Sequence, residues 1–108
     1  MHQERRRHPR AACHIRVEYA QPGAKLVARA VATDISCSGL RARASLRPDL
    51  SDGDLVPMTL FLEDGPVKVQ ARIVYSATEG FAVAFHGIEG DAADRLGDFV
   101  SRANAFRR

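Results

Sequence analysis

From Cys13 the chain alternates, with Cys13, Ile15, Val17 and Tyr19 on one side and His14, Arg16 and Glu18 on the other. That is the two-residue period of a strand with one buried face. Gln21-Pro22-Gly23 is a turn sequence. A second run, Lys25 to Ile35, alternates over Leu26, Ala28, Ala30 and Ala32 until Ser36-Cys37-Ser38-Gly39 interrupts it. A third, Leu40 to Leu46, interleaves Leu40, Ala42 and Ala44 with Arg41, Arg43 and Ser45. Past the turn at Leu50 to Asp54, the apolar stretch Leu55 to Leu62 predicts strand four. Glu63-Asp64-Gly65-Pro66 then signals a hairpin into Val67 to Tyr75, where Val67, Val69, Ala71, Ile73 and Tyr75 share the apolar side. Gly80 opens a last strand, Phe81 to Phe85.

Six short strands joined by turns and short loops predict an antiparallel sheet, and closing it into a barrel removes its edges. The period then changes. Ile88, Ala92, Leu96, Phe99, Val100, Ala103 and Phe106 recur at three and four residues, which predicts one amphipathic helix over 88–106. Asp91 is placed to cap its start, and Asp94 sits where the positive end of the helix dipole favours a carboxylate. The polar side, with Asp91, Asp94, Arg95 and Asp98, is too acidic for a membrane-surface helix. The helix is therefore expected to close one end of the barrel. Residues 1–12 show no periodicity, carry Arg5, Arg6, Arg7 and Arg10, and read as a flexible arm kept from helix at His8 by Pro9. The expected organisation is a single mostly-β domain over 1–108: arm 1–12, barrel 13–87, helix 88–106.

At 108 residues, 45% apolar and 27% charged, the composition is that of one globular domain. No apolar run is long enough to span a bilayer and the start is charged, so a cytoplasmic location without membrane insertion is expected. Cys13 and Cys37 lack metal-site spacing and read as small buried apolar residues. His2, His8, His14 and His86 are scattered, and no metal is assigned. No nucleophile elbow, paired carboxylates or phosphate-cradling loop appears, so no catalytic residue is assigned and an enzyme is not expected. The net charge of +3 hints at a polyanionic partner. Of 16 basic residues only Lys25 and Lys68 are lysine, the other 14 being arginine. Arginine offers planar, bidentate forks that suit phosphate and guanine alike.

Two motifs sharpen this. Arg6-Arg7-His8-Pro9-Arg10 places two arginines four residues apart on the arm, with Arg5 adjoining, and Asp34-Ile35-Ser36-Cys37-Ser38-Gly39 reads as DxSxxG in the loop after strand two. In order and separation they resemble the RxxxR and [DN]xSxxG signatures of the PilZ domain, the bacterial receptor module for cyclic di-GMP. The resemblance extends over nearly the whole chain, through Gly53, Ala71-Arg72-Ile73-Val74-Tyr75, Gly80-Phe81-Ala82-Val83-Ala84-Phe85 and the closing helix. It implies a six-stranded barrel with a C-terminal helix, acting as a receptor.

The chemistry fits. Guanine presents O6 and N7 as acceptors and N1 and N2 as donors, so a receptor needs arginine forks and a carboxylate. The resemblance implies that Arg6 and Arg10 take phosphates and a guanine edge and stack on the bases. Asp34 would accept from N1 and N2, Ser36 would add a hydroxyl contact, and Gly39 would allow a positive φ or close approach of the ligand. Arg5, just before RxxxR, goes in this family with a stacked pair, implying two ligand molecules per domain. Arg7, Arg41, Arg43 and Tyr75 are accessory candidates; Tyr75 stands where relatives carry an aromatic, although cross-strand packing also accounts for it.

The expected mechanism is that ligand folds the arm against the barrel and changes a surface that an unidentified downstream protein reads, controlling motility, biofilm or polysaccharide production. Two other readings are a nucleotide-independent interaction adaptor, whose relatives usually lack both motifs, and a small barrel for single-stranded nucleic acid. The latter is disfavoured by 6% aromatic content and by phenylalanines that mostly fall on apolar-side positions.

Overall fold

The computed structural model describes residues 10–45, 48–88 and 90–105. Six strands form a closed barrel: β1 (Ala11–Ala20), β2 (Val27–Ile35), β3 (Gly39–Arg43), β4 (Leu55–Leu62), β5 (Gly65–Ala77) and β6 (Gly80–Phe85). Their order around the barrel is β1-β2-β3-β6-β5-β4, every neighbour antiparallel. The helix α1 (Gly90–Ala105) follows. The expected fold is the observed one, because alternation buries one side of each strand and short turns bring successive strands together.

Inward positions form one core: Ile15, Val17 and Tyr19 of β1, Met58 and Leu60 of β4, Val67, Ala71 and Ile73 of β5, and Phe81 of β6. The ring edge of Tyr19 meets Phe81 with centroids 5.0 Å apart at 71°, the arrangement aromatic quadrupoles favour. Leu96 and Val100, one helical turn apart, join the same core, so α1 does close the barrel. Burying each such side chain is worth about 1.5–3 kcal/mol. Arg95 fastens the helix further. Its guanidinium donates to Asp64 Oδ1 at 2.8 Å in the β4–β5 turn and to the carbonyls of Gly65 at 2.7 Å and Pro66 at 2.9 Å at the start of β5.

Several boundaries differ from expectation. β1 starts at Ala11, taking the last two residues of the expected arm. β2 starts at Val27, and Leu26 is 82% exposed, because the turn from Gln21 has not yet paired with β1. Leu46 and Phe106 lie outside the described residues. β5 extends both ways, to Gly65 and Ala77. The helix begins at Gly90, so Asp91 stands in its first turn and not at its cap, while Ile88 packs on the core from the preceding loop. Phe61 faces outward with Arg16 stacked 4.2 Å from its ring centre. Cys37 is exposed and Cys13 half-buried, so neither is the fully buried residue expected.

Two bulges decide where side chains point. Ala30 and Ala32 of β2 are buried, and continued alternation would send Asp34 inward. The register shifts between Ala32 and Asp34 against β3, so Ile35 is buried and Asp34 turns toward the outside. A second shift between Ile73 and Tyr75 of β5 does the same for Tyr75, which is 44% exposed. Tyr75 therefore lies on the outer face, not in the apolar row of β5.

Candidate functional site

Of the residues that the motifs single out, Arg10, Asp34, Ser36 and Gly39 meet at the helix-covered end of the barrel, where Cys37 of the same loop lies beside Gly97 of α1. Arg10 stands just before β1, and Ala12 pairs with Asp34 near the end of β2. Arg10 Nη1 donates to Asp34 Oδ1 at 2.8 Å. Asp34 is also opposite Arg41 of β3, whose Nε lies 4.0 Å from Oδ2. The carboxylate is thus flanked by two guanidiniums, one from each side.

Strand register continues this row. Arg41 pairs with Ala82 of β6, and Ala82 with Tyr75 of β5. Asp34, Arg41, Ala82 and Tyr75 therefore run across four strands on the outer face, and the methyl group of Ala82 leaves open the space between its larger neighbours. A depression of about 200 Å³ lies alongside, lined by Thr33, Arg41, Arg43, Tyr75 and Glu79 among others. Its walls offer guanidinium forks and an aromatic ring, and the Asp34 carboxylate stands outside it at the far end of the row. That set can hold a planar base and a phosphate together.

The DxSxxG loop is tightly closed. Ser36 N–H donates to Gly39 O at 2.9 Å, and Ser38 N–H donates to Ser36 Oγ at 3.1 Å. The Ser36 hydroxyl also lies 3.0 Å from Ser38 Oγ, and the residue is only 4% exposed. Ser36 therefore holds the loop from within. Gly39 has no positive φ. Its requirement is close approach to another strand: a Cβ there would collide with the backbone carbonyl of Val83 in β6. The loop that follows Asp34 is thereby seated against β6, which carries Ala82.

Beside the carboxylate, Cys13 Sγ donates to Ala32 O at 3.4 Å. Burial, with a smaller contribution from the negative charge of Asp34, pushes its thiol up to about 11. Arg5, Arg6 and Arg7 lie outside the described residues; Arg10, Asp34, Ser36 and Gly39 are brought together, and Arg41, Arg43 and Tyr75 adjoin them. The outward turn of Asp34 and Tyr75 was not read from the sequence. Its signal is a break in alternation, with apolar Ala32 and Ile35 three apart and Ile73, Val74 and Tyr75 consecutive. No group of three or more metal-ligating side chains occurs among the described residues, and no helix there is long and apolar enough to cross a membrane.

A family model described as PilZ domain matches residues 4–102. Among solved structures, the chain is similar to the Bacillus subtilis inhibitor of motility MotI/DgrA, with 15% identity and a TM-score of 0.83 over 98% of this chain and 54% of that one. It thus spans about half the length of that protein. It is similar to the PilZ domain with c-di-GMP of YcgR from Escherichia coli, with 14% identity and a TM-score of 0.80 over 97% of this chain and 95% of that one. It is also similar to MrkH of K. pneumonia in its c-di-GMP complex, with 19% identity and a TM-score of 0.80 over 97% and 55% of the two chains. No curated protein sequence matches. At such identities the likeness to the solved structures is one of fold.

Proposed function

Because the chain belongs to the PilZ domain family, we propose that it is a receptor for cyclic di-GMP and not an enzyme, working in the cytoplasm. The observation that carries this reading is the 2.8 Å contact that joins the two motifs, Arg10 to Asp34, on the outer face of the barrel. The c-di-GMP complexes of two proteins of like fold, YcgR and MrkH, support it.

In this reading Arg10 and, from the arm, Arg6 take phosphate oxygens and a guanine edge. Asp34 accepts from guanine N1 and N2, and Arg41 and Arg43 extend the cationic wall. Tyr75, across Ala82, supplies a face for a base. Ser36 and Gly39 hold the loop that presents Asp34. Arg5 favours a stacked pair of ligands, two per domain. Phosphates neutralise the arginines as they are covered, which folds the N-terminal arm against the barrel and changes the surface offered to a downstream protein.

Calorimetric titration with cyclic di-GMP tests this, run beside Arg6→Ala, Asp34→Ala and a GTP control. Saturable binding of the dinucleotide alone, weakened in both variants, is expected, and the inflection gives one or two ligands. Absence of heat and of any melting-temperature shift at high ligand excess overturns the receptor reading and leaves a nucleotide-independent adaptor.

A further inference from the structure

Five large apolar side chains are exposed among the described residues: Leu26, Val27, Leu55, Val74 and Tyr75. Strand register gathers the last three onto one outer face. Leu55 stands opposite Arg72. Val74, two positions further along β5, is the extra residue of the bulge, and Tyr75 follows it. At a bulge two residues oppose one and alternation fails, which is why both turn outward, at 55% and 44% exposure. On β6 their neighbours are Ala84, opposite Arg72, and Ala82, opposite Tyr75. Both are small, so the apolar strip runs on without obstruction to Arg41 of β3. From β4 to β3 it crosses three strand spacings, about 14 Å.

The outer face of a small barrel is ordinarily polar, and a contiguous apolar exception marks an interaction surface. A closed barrel has no free sheet edge, so a partner must be gripped by side chains. The charges along the strip are mixed, Glu79 lining the depression beside Tyr75 and Asp34 lying 4.0 Å from Arg41. Arg72 lies beside Leu55 and Arg41 at the far end, and the cation left without a carboxylate is Arg72, which makes no ion pair among the described residues. We propose that this strip docks a partner protein through an apolar side chain flanked by carboxylates, the apolar group seated on Leu55, Val74 and Tyr75 and a carboxylate on Arg72. A second copy of the chain is the poorer occupant, because a two-fold contact brings the arginines of each strip toward those of the other.

The test replaces Val74 in the full chain by the photocrosslinker p-benzoylphenylalanine, and Leu55 in a second variant, and irradiates each in the native host. The expected adduct maps to a partner peptide in which an apolar residue neighbours Asp or Glu. It falls by at least about tenfold with Arg72→Glu and returns when that partner carboxylate is replaced by Lys. Both crosslinking positions and Arg72 are exposed, so melting temperatures should match the parent. No adduct from either position, an adduct only with lipid or with a second copy, or one undiminished by Arg72→Glu overturns the proposal.

Discussion

Arg10 and Asp34 are each other's counter-ion, joined at 2.8 Å across the β1–β2 pair while keeping 35% and 24% of their side chains exposed. An ion pair so placed contributes only about 0–1 kcal/mol to stability. A hydrogen bond to a charged group inside a ligand site contributes about 1.5–3 kcal/mol. The pair thus presets the geometry of the site without anchoring the fold, and a ligand that offers phosphate to Arg10 and N–H donors to Asp34 exchanges one set of partners for a better one.

It follows that Asp34→Ala should leave folding nearly intact while weakening the ligand. Urea unfolding is expected to change by less than about 1 kcal/mol. The affinity for cyclic di-GMP should fall by about 10- to 100-fold. A loss of several kcal/mol in stability would instead make the pair a structural element, and unchanged affinity would remove Asp34 from the site.

Gly39→Ala separates two roles for the motif glycine. The added methyl group meets the Val83 carbonyl, which is strand backbone and cannot swing aside. Overpacking of that kind costs about 1–3 kcal/mol, so the variant should melt well below the parent. Gly80→Ala, which would meet the carbonyl of Ala42 in the same way, should do likewise. If Gly39→Ala binds poorly yet unfolds like the parent, the glycine serves the ligand and not the β3–β6 contact.

Much of this molecule is legible in its sequence, and the exceptions have a common cause. Alternation names the inward residues of β4, whose pairing has no register shift, and those of β1 from Ile15 onward, past the shift between Ala12 and Ile15. It fails at Asp34 and Tyr75, because one extra residue in a strand reverses every later side chain, and both sit just past a bulge. Arg95 reads as part of a solvated helix face, and only tertiary packing brings the β4–β5 turn within its reach. Ser36 reads as a ligand contact from its place in the motif, and the hydrogen bonds of its hydroxyl within the loop could not be read there. The motifs name the candidate residues; which way each one faces required the register.

The two thiols should respond differently to alkylation. Cys37 is exposed, whereas Cys13 is half-buried and its thiol is pushed up to about 11, first by burial and then by Asp34. At mildly alkaline pH iodoacetamide should modify Cys37 alone, as mass spectrometry of the digested protein would show. Since the folded thiol holds its proton more tightly than the usual value of 9.0, its contribution to stability is full below that pH and is lost as pH rises toward about 11. Equal labelling of both cysteines in the folded protein would contradict the placement of Cys13.

The helix staple carries a prediction of opposite sign. Asp64 is held below the ordinary carboxylate value of 3.8, chiefly by its hydrogen bond from Arg95. A carboxyl with a depressed folded pKa stabilises the fold above its unfolded pKa and loses that effect as pH falls through the folded one. Asp64→Asn should therefore melt below the parent at neutral pH, and the gap should close on acidification below about pH 4. Arg95→Ala should cost more at neutral pH, because it also abandons the carbonyls of Gly65 and Pro66, and part of its deficit should persist in acid. Melting curves of the three proteins across that range check both statements. A gap between parent and Asp64→Asn that stays constant with pH would show that the ion pair does not hold α1 to the turn.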